Sequence, residues 1–323
     1  MHDSPLLGPA FTHLQPGTWQ AAHFLGDTSP ADDPAAYLAA VDSLVQTYAD
    51  EVAQNGTPLI VNTHGWVKGL GADLLLRIKE LVRPTRTLSF AGADEEQWHA
   101  ADMPLVLETA PPSPLEARWT AADLRTLNLA SYFYSHENAS TRETYWDFSS
   151  ALVSRRPFVL PWSDTSKLRR VYLRGADGVQ PHHVLHVLNG SIVAFVASTS
   201  EETADAGGSL SYEDGEAAPV AIRCLGLGVV RGVDMQAGAL HLLTPLSAQT
   251  LGNASPVALV RGTSGLELPV ALAIDHTATS EERALGVAET PWREVPYLST
   301  DGEGSLASGR RRIRRNVMRR AHT

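Results

Sequence analysis

Residues 58–71, Pro-Leu-Ile-Val-Asn-Thr-His-Gly-Trp-Val-Lys-Gly-Leu-Gly, constrain the fold more than any other stretch of the chain. The apolar run between Pro58 and Asn62 reads as a fully buried parallel strand, flanked by helices on both faces. It breaks into a loop carrying Gly65, Gly69 and Gly71 before an amphipathic helix starting near Ala72. Strand, glycine loop and helix in that order place a ligand site at the carboxyl edge of an α/β sheet. The loop also carries Trp66, which a strand-to-helix turn does not need in order to fold. A rigid aromatic at such an edge offers a stacking surface for an unpaired base, worth roughly 1–3 kcal/mol. The plain alternative is a tryptophan that covers an apolar corner.

The lysines set an equally firm limit. The chain has three, Lys68, Lys79 and Lys167, and none follows a glycine. No G-x-x-x-x-G-K-[ST] phosphate loop is therefore present.

The surrounding pattern supports an α/β unit. Ala22–Gly26 reads as a short strand that runs into the turn Gly26-Asp-Thr-Ser-Pro30. Asp33 followed by Pro34 is a helix start, with a capping carboxylate and a proline at the first helical position. Tyr37, Leu38, Val41, Leu44, Val45, Tyr48 and Val52 recur at helical spacing, so residues 34–53 are expected to be an amphipathic helix. A second helix is expected over 72–83, ended by Pro84, and a strand over Thr85–Phe90. Alternation of this kind implies a parallel sheet with helices on its faces. Beyond the proline-rich hinge at 110–114, Thr120 and Asp123 form a capping box for a further helix. From about residue 155 the chain becomes a series of short, valine-rich apolar runs separated by turns: 170–174, 183–188, 191–197, 220–230, 239–243, 257–260 and 266–272. These predict a β-rich domain. Within it, residues 198–217 are polar and read as a disordered loop, with a second such segment at 278–288. Gly226 and Gly228 read as a bulge or a tight strand crossing.

Several side chains are candidates for chemistry. Asp27, Thr28 and Ser29 would stand at the mouth of the same crevice as Trp66, although a capped turn explains them equally well. Arg118 and Arg125 flank the start of the 120–134 helix. Solvated helix-surface arginines are common, but a hinge leading into an arginine-bearing helix also describes a closing lid over a transferring phosphoryl group. His182, His183 and His186 read as structural histidines of a strand with no companion ligands, so no metal site is expected. The single cysteine, Cys224, excludes an internal disulfide and fits a reducing compartment. No apolar run spans a bilayer and no secretory signal opens the chain, so a soluble, intracellular protein with no membrane partner is expected. Formal net charge is −10, yet residues 310–320 hold seven arginines and no acid. Without them 19 basic residues face 36 acidic ones, a balance of −17. An acidic body of this kind would grip nucleic acid only through a local groove or through the tail.

Several runs also resemble a known family in the same order. Pro5-Leu-Leu-Gly-Pro9, Phe24-Leu-Gly-Asp-Thr-Ser-Pro30, Thr63-His-Gly-Trp66 with Val-Lys-Gly-Leu-Gly71, Asp123-Leu-Arg-Thr-Leu127 with Tyr132-Phe133, and the arginine-rich tail are similar to segments of the polynucleotide 5′-hydroxyl kinases. The likeness is to the nucleolar branch that works in ribosomal-RNA processing, related to the pre-mRNA cleavage-complex RNA kinase. It implies an α/β fold that is the carboxyl-side part of a P-loop NTPase sheet over 1–109, a lid over 110–150, a β-rich domain over 151–300 and a basic tail over 301–323. It implies transfer of the ATP γ-phosphate, with Mg²⁺, to the 5′-hydroxyl of RNA in pre-rRNA processing, in the nucleus and nucleolus. Thr28, Ser29, Thr63, Gly65 and Trp66 would face RNA, and Arg125, with Arg118 the weaker match, would act from the lid. The tail residues Arg310, Arg311, Arg312, Ile313, Arg314, Arg315, Val317 and Met318 would dock a ribosomal-RNA processing endonuclease. Family members carry the phosphate loop and a D-x-D-x-G-Q metal-binding stretch ahead of the Pro5 segment, and this chain starts after both. A shortened chain, inactive by itself and without ATP or metal ligands of its own, is therefore expected. The rival reading is a non-catalytic scaffold for the nuclease.

Overall fold

The computed structural model describes residues 21–90, 104–109, 120–138, 141, 143–162, 168–174, 179–180, 183–197, 211–214, 223–253 and 257–263. Two bodies of structure emerge, one helical with a small parallel sheet, the other built on a large mixed sheet.

The first begins with α1 (Pro34–Thr47), nucleated as its sequence dictates: the Asp33 carboxylate accepts from Ala36 N at 2.9 Å and Pro34 opens the helix. A single π turn (Tyr48–Val52) and a 3₁₀ turn (Ala53–Asn55) extend it to Gly56, whose φ of +71° closes it. α2 (Leu70–Val82) packs Leu74 and Ile78 toward Ala36 and Ala40 of α1. β1 (Leu88–Phe90) and β2 (Leu105–Leu107) pair in parallel.

The run 58–62 departs from its reading. It forms neither strand nor helix and pairs with no strand among the described residues, and Ile60 is 89 % exposed. Leu88, Phe90, Leu105 and Val106 on the β1–β2 pair are exposed as well. Parallel strands are stable when covered on both faces. An apolar run specifies a preference for burial, not the neighbour that satisfies it.

α3 (Ala121–Phe133) carries the expected capping box: Asp123 N donates to Thr120 Oγ1 at 3.2 Å and Thr120 N to Asp123 Oδ2 at 2.8 Å. Its carboxyl half is rooted in the second body, where Ala130, Phe133 and Tyr134 join Leu152, Ile192, Val229 and Leu243 in one buried cluster. The Tyr132 hydroxyl accepts from Leu227 N at 2.7 Å. A hairpin of β3 (Ser135–Glu137) and β4 (Thr144–Trp146) follows, tied back by Trp146 Nε1, which donates to Ser131 O at 2.9 Å.

The large sheet contains β5 (Phe158–Pro161), β6 (Leu168–Leu173), β7 (Ile192–Ala197), β8 (Ser211–Asp214), β9 (Cys224–Asp234), β10 (Ala239–Leu243) and β11 (Val257–Arg261), in the spatial order β5-β10-β9-β7-β11-β6-β8. β6 runs parallel to β11 and β8, and the other pairings are antiparallel. Leu173, Leu188, Val193, Phe195, Leu240 and Leu259 are fully buried in its main cluster, each contributing on the order of 2 kcal/mol. Two short helices, α4 (Val184–Leu188) and α5 (Ala248–Asn253), complete it.

Two readings of this region are corrected. Residues 184–188 form a helix, not a strand, because Val184 and Leu188, four apart, bury on one side. His183 and His186 therefore meet edge to face at 5.9 Å instead of pointing to opposite faces, while His182 lies outside the described residues. Within the polar stretch read as a disordered loop, Ser211–Asp214 is an edge strand on β6. The glycine pair behaves as expected. The register shifts at Phe195/Val196 opposite Cys224 and Gly226, and Phe195 covers Gly228, where a Cβ would stand 2.8 Å from its ring. Residues 266–272, 278–288 and the tail lie outside the described residues.

Candidate nucleic-acid interface

The loop ahead of α2 is shaped by Gly69, whose φ of +54° and ψ of −133° suit only glycine, and by Gly71. Trp66 folds back onto the helix start. A Cβ at residue 71 would lie 2.3 Å from both Trp66 Cγ and Trp66 O. Trp66 nonetheless remains 38 % exposed. Trp66 N donates to His64 Nδ1 at 3.3 Å, and the rings run in series: Tyr37 to His64 at 6.0 Å, His64 to Trp66 at 6.4 Å. Burial depresses the His64 pKa, partly opposed by the bond from Trp66 N, so the imidazole is neutral at pH 7. Thr63 and Gly65 beside it are exposed. The result is an uncharged aromatic ledge with one open face.

The turn at 26–30 is held by the large sheet. Ala22–Gly26 is not a strand of the α/β unit. It lies along the second body, with Cys224 N donating to Ala22 O at 2.8 Å and Thr263 N to Gly26 O at 2.7 Å. Gly26 (φ +74°) and Gly262 touch through their backbones: a Cβ at Gly262 would stand 2.5 Å from Gly26 O. Asp27 accepts from Thr263 Oγ1 at 2.5 Å and from Thr28 N and Ser29 N. Burial raises its pKa, but the bonds from Thr263, Thr28 and Ser29 outweigh this and hold it below the usual carboxylate range. Its carboxylate is thus committed to the turn, leaving Thr28, exposed, and Ser29, half-buried, as the outward groups. Arg174, 7 % exposed, meets Asp33 at 3.5 Å and ties the first turn of α1 to β6. Tyr37, four residues along α1 from Asp33, joins this turn to the Trp66 ledge.

Arg125 is exposed on the amino-terminal half of α3, opposite in position to the buried carboxyl half. Arg118 and residues 310–318 lie outside the described residues. Sequence reasoning missed His64, Arg174, Gly262 and Thr263. His64 was signalled by its place between Thr63 and Gly65, whereas nothing local marks residues 262–263 as partners of 26–27.

The described residues do not fit a nucleotide triphosphate site. The indole fills the space over Gly71 at the α2 amino terminus, and Gly71 N already donates to Lys68 O at 3.2 Å, so neither space nor that amide is left for a phosphate. Among the described residues no three His, Cys, Asp or Glu side chains gather as metal ligands. Cys224 is buried and its thiol pushed up to about 11 by that burial, so it is unreactive. No helix among the described residues is long and apolar enough to cross a membrane.

Comparison with known proteins fits this division. Residues 2–135 match the family described as mRNA cleavage and polyadenylation factor CLP1 P-loop, and residues 163–263 match the NOL9-like, C-terminal domain. A relative from Cryptococcus neoformans, "Polynucleotide 5'-hydroxyl-kinase GRC3", is 33% identical over 379 residues, covering 98% of this chain and 49% of its own length. The Schizosaccharomyces pombe protein of the same description is 28% identical over 363 residues, covering 99% and 47%. "Polynucleotide 5'-hydroxyl-kinase NOL9" of Arabidopsis thaliana is 26% identical, covering 71% and 62%. A solved Clp1p–Pcf11p complex aligns with a TM-score of 0.43 at 15% identity, covering 81% of this chain and 58% of that one. The class is thus that of the CLP1 P-loop fold, an α/β unit followed by a NOL9-like, β-rich carboxyl-terminal domain. Within it, the chain belongs to the polynucleotide 5′-hydroxyl kinase family of the GRC3 and NOL9 type. It spans about half the length of the curated GRC3 relatives it matches.

Proposed function

We propose that this chain is the RNA-facing, carboxyl-side part of an ATP-dependent polynucleotide 5′-hydroxyl kinase that phosphorylates RNA ends during pre-rRNA processing in the nucleolus. The observation that carries this is the Trp66 ledge, an aromatic with one open face at a glycine loop, in a chain of this family. Trp66 stacks on a base near the RNA end, backed by Tyr37 and His64, while Thr63 and Gly65 leave room for the backbone. Thr28 and Ser29 line the approach on a turn fixed by Asp27 and Thr263. Arg125, with Arg118, places positive charge where negative charge builds on the transferring group. ATP and Mg²⁺ would be held by the phosphate-loop part of the family fold and would supply the transferred phosphate and its charge neutralisation there. The β-rich domain and the tail from Arg310 to Arg320 engage a ribosomal-RNA processing endonuclease.

The test is fluorescence anisotropy with a single-stranded oligoribonucleotide bearing a 5′-hydroxyl and a 3′ label. The chain is expected to bind it saturably, and Trp66→Ala to weaken that binding about tenfold, within the range for one lost stacking contact. Equal affinity for wild type and Trp66→Ala would remove the ledge from the RNA path.

A further inference from the structure

A second aromatic assembly lies on the β3–β4 hairpin, between the two family matches, and nothing in the ledge or the lid uses it. Tyr134, at the end of α3, is buried, and its hydroxyl accepts from Leu152 N at 2.9 Å. Phe148 stacks on it at 4.7 Å and 27°, and is itself 56 % exposed. Beside them His136 and Tyr145, directly opposite in the ladder, stack at 5.4 Å and 26°, with Tyr145 50 % exposed. Alternation along β4 sends Trp146 inward to Ser131 and leaves Tyr145 outward. Arg155 joins the two stacks. Its guanidinium stands 4.6 Å from the Tyr134 ring centroid, bonds His136 Nε2 at 3.0 Å and donates to Asp147 O. Each stack therefore has an inner ring locked by the fold and an outer ring, Phe148 or Tyr145, with a face in solvent.

We infer that Tyr145 and Phe148 form a second base-stacking platform for single-stranded RNA, downstream of a 5′ end seated at Arg125. The rings are pre-stacked and fixed by an arginine, so little rotamer freedom is lost when a base lands on them, and any base suffices because every base has a π face. Arg156, exposed next to Arg155, adds a second cation to this part of the chain. Placement favours RNA over a protein ligand. Arg125 and Tyr134 lie nine residues apart on one helix, which spans roughly 14 Å at ~1.5 Å per residue. That is the length of about four stacked nucleotides at ~3.4 Å each. RNA whose 5′ end sits under the lid arginine would reach the hairpin a few nucleotides on. This rests on the RNA reading above.

The test compares wild type, Trp66→Ala, Tyr145→Ala and Phe148→Ala with a 3′-labelled ten-nucleotide single-stranded RNA, and maps crosslinks from 4-thiouridine placed at each position. Both outer rings are surface residues, so the variants should melt as wild type does. Each is expected to weaken binding roughly five- to a hundredfold. Crosslinks to residues 145 or 148 should appear only from positions a few nucleotides from the 5′ end, and a duplex of the same sequence should compete poorly. Unchanged affinity in both hairpin variants alongside a loss in Trp66→Ala would overturn the platform and leave the RNA reading standing, the rings then serving a protein ligand. Equal competition by duplex would overturn it as well. Absence of any binding by wild type would overturn both.

Discussion

Gly71 lies directly beneath the indole of Trp66, so close that a Cβ at residue 71 would stand 2.3 Å from Trp66 Cγ and from its carbonyl oxygen. The first turn of α2 is therefore the seat of the tryptophan, and the glycine is required by contact, not by helix propensity.

Gly71→Ala tests this. Alanine favours a helix interior by about 1 kcal/mol, but here it must push the ring and the loop away. RNA affinity is expected to fall about as far as in Trp66→Ala, and the double variant Gly71→Ala/Trp66→Ala should be no worse than Trp66→Ala by itself. Additive losses in anisotropy titrations would show that the two residues act separately.

The Gly26–Gly262 contact ties the candidate RNA turn to the end of β11, an interior strand of the large sheet. Gly262→Ala places a methyl 2.5 Å from Gly26 O, and Gly26→Ala adds strain at φ +74°. Each is expected to destabilise the chain by about 2 kcal/mol or more in urea melts. Thr263→Val, which removes the hydroxyl donor to Asp27, should cost about 1 kcal/mol. A neutral Gly262→Ala would mean that the two segments do not touch in solution.

Acid should weaken the fold in two stages. Burial depresses the pKa values of His64, His136 and His241. For His136 Arg155 adds to this and Asp147 opposes it; for His241 Asp234 opposes and Arg231 adds. Below about pH 6.5 the unfolded chain takes up protons that the folded one refuses, so stability present above that pH is lost as pH falls. Asp27, held low, adds a second loss below about pH 4. Urea melts between pH 8 and about pH 2.5 check this. Stability that is flat or rising from pH 7 to pH 5 would contradict it.

The tail interleaves Ile313, Val317 and Met318 with its arginines, and residues 313 and 317 share a face if the segment becomes helical. Replacing the three with Ser while keeping every arginine is expected to abolish capture of the proposed endonuclease partner and to leave nuclear import intact. Capture that survives this change and fails only on arginine removal would make the tail a charged tether.

Much of this was legible because the signals are local. Asp33-Pro34 and the Thr120/Asp123 box state where α1 and α3 begin, and the glycines at 226 and 228 mark a shifted register. What failed depended on partners far along the chain. The run 58–62 has the composition of a covered strand, yet covering depends on neighbours that composition does not name. Residues 184–188 are too short for alternation to distinguish a strand from a helix turn. Ser211–Asp214 is an edge strand that pairs with β6 alone among the described residues, and its polar sequence carries no apolar alternation to announce it. The Asp27–Thr263 bond joins residues 236 apart, which no local pattern announces.

This chain is proposed to supply the RNA side of a 5′-hydroxyl kinase. The most direct measurement replaces the matching half of the Cryptococcus relative with this chain and follows phosphate transfer from ATP to a 5′-hydroxyl oligoribonucleotide. The chimera is expected to transfer phosphate, with Trp66→Ala acting mainly on KM and Arg125→Ala mainly on kcat. A chimera that folds and binds both ATP and RNA yet transfers nothing, or an Arg125→Ala variant with unchanged kcat, would contradict the account.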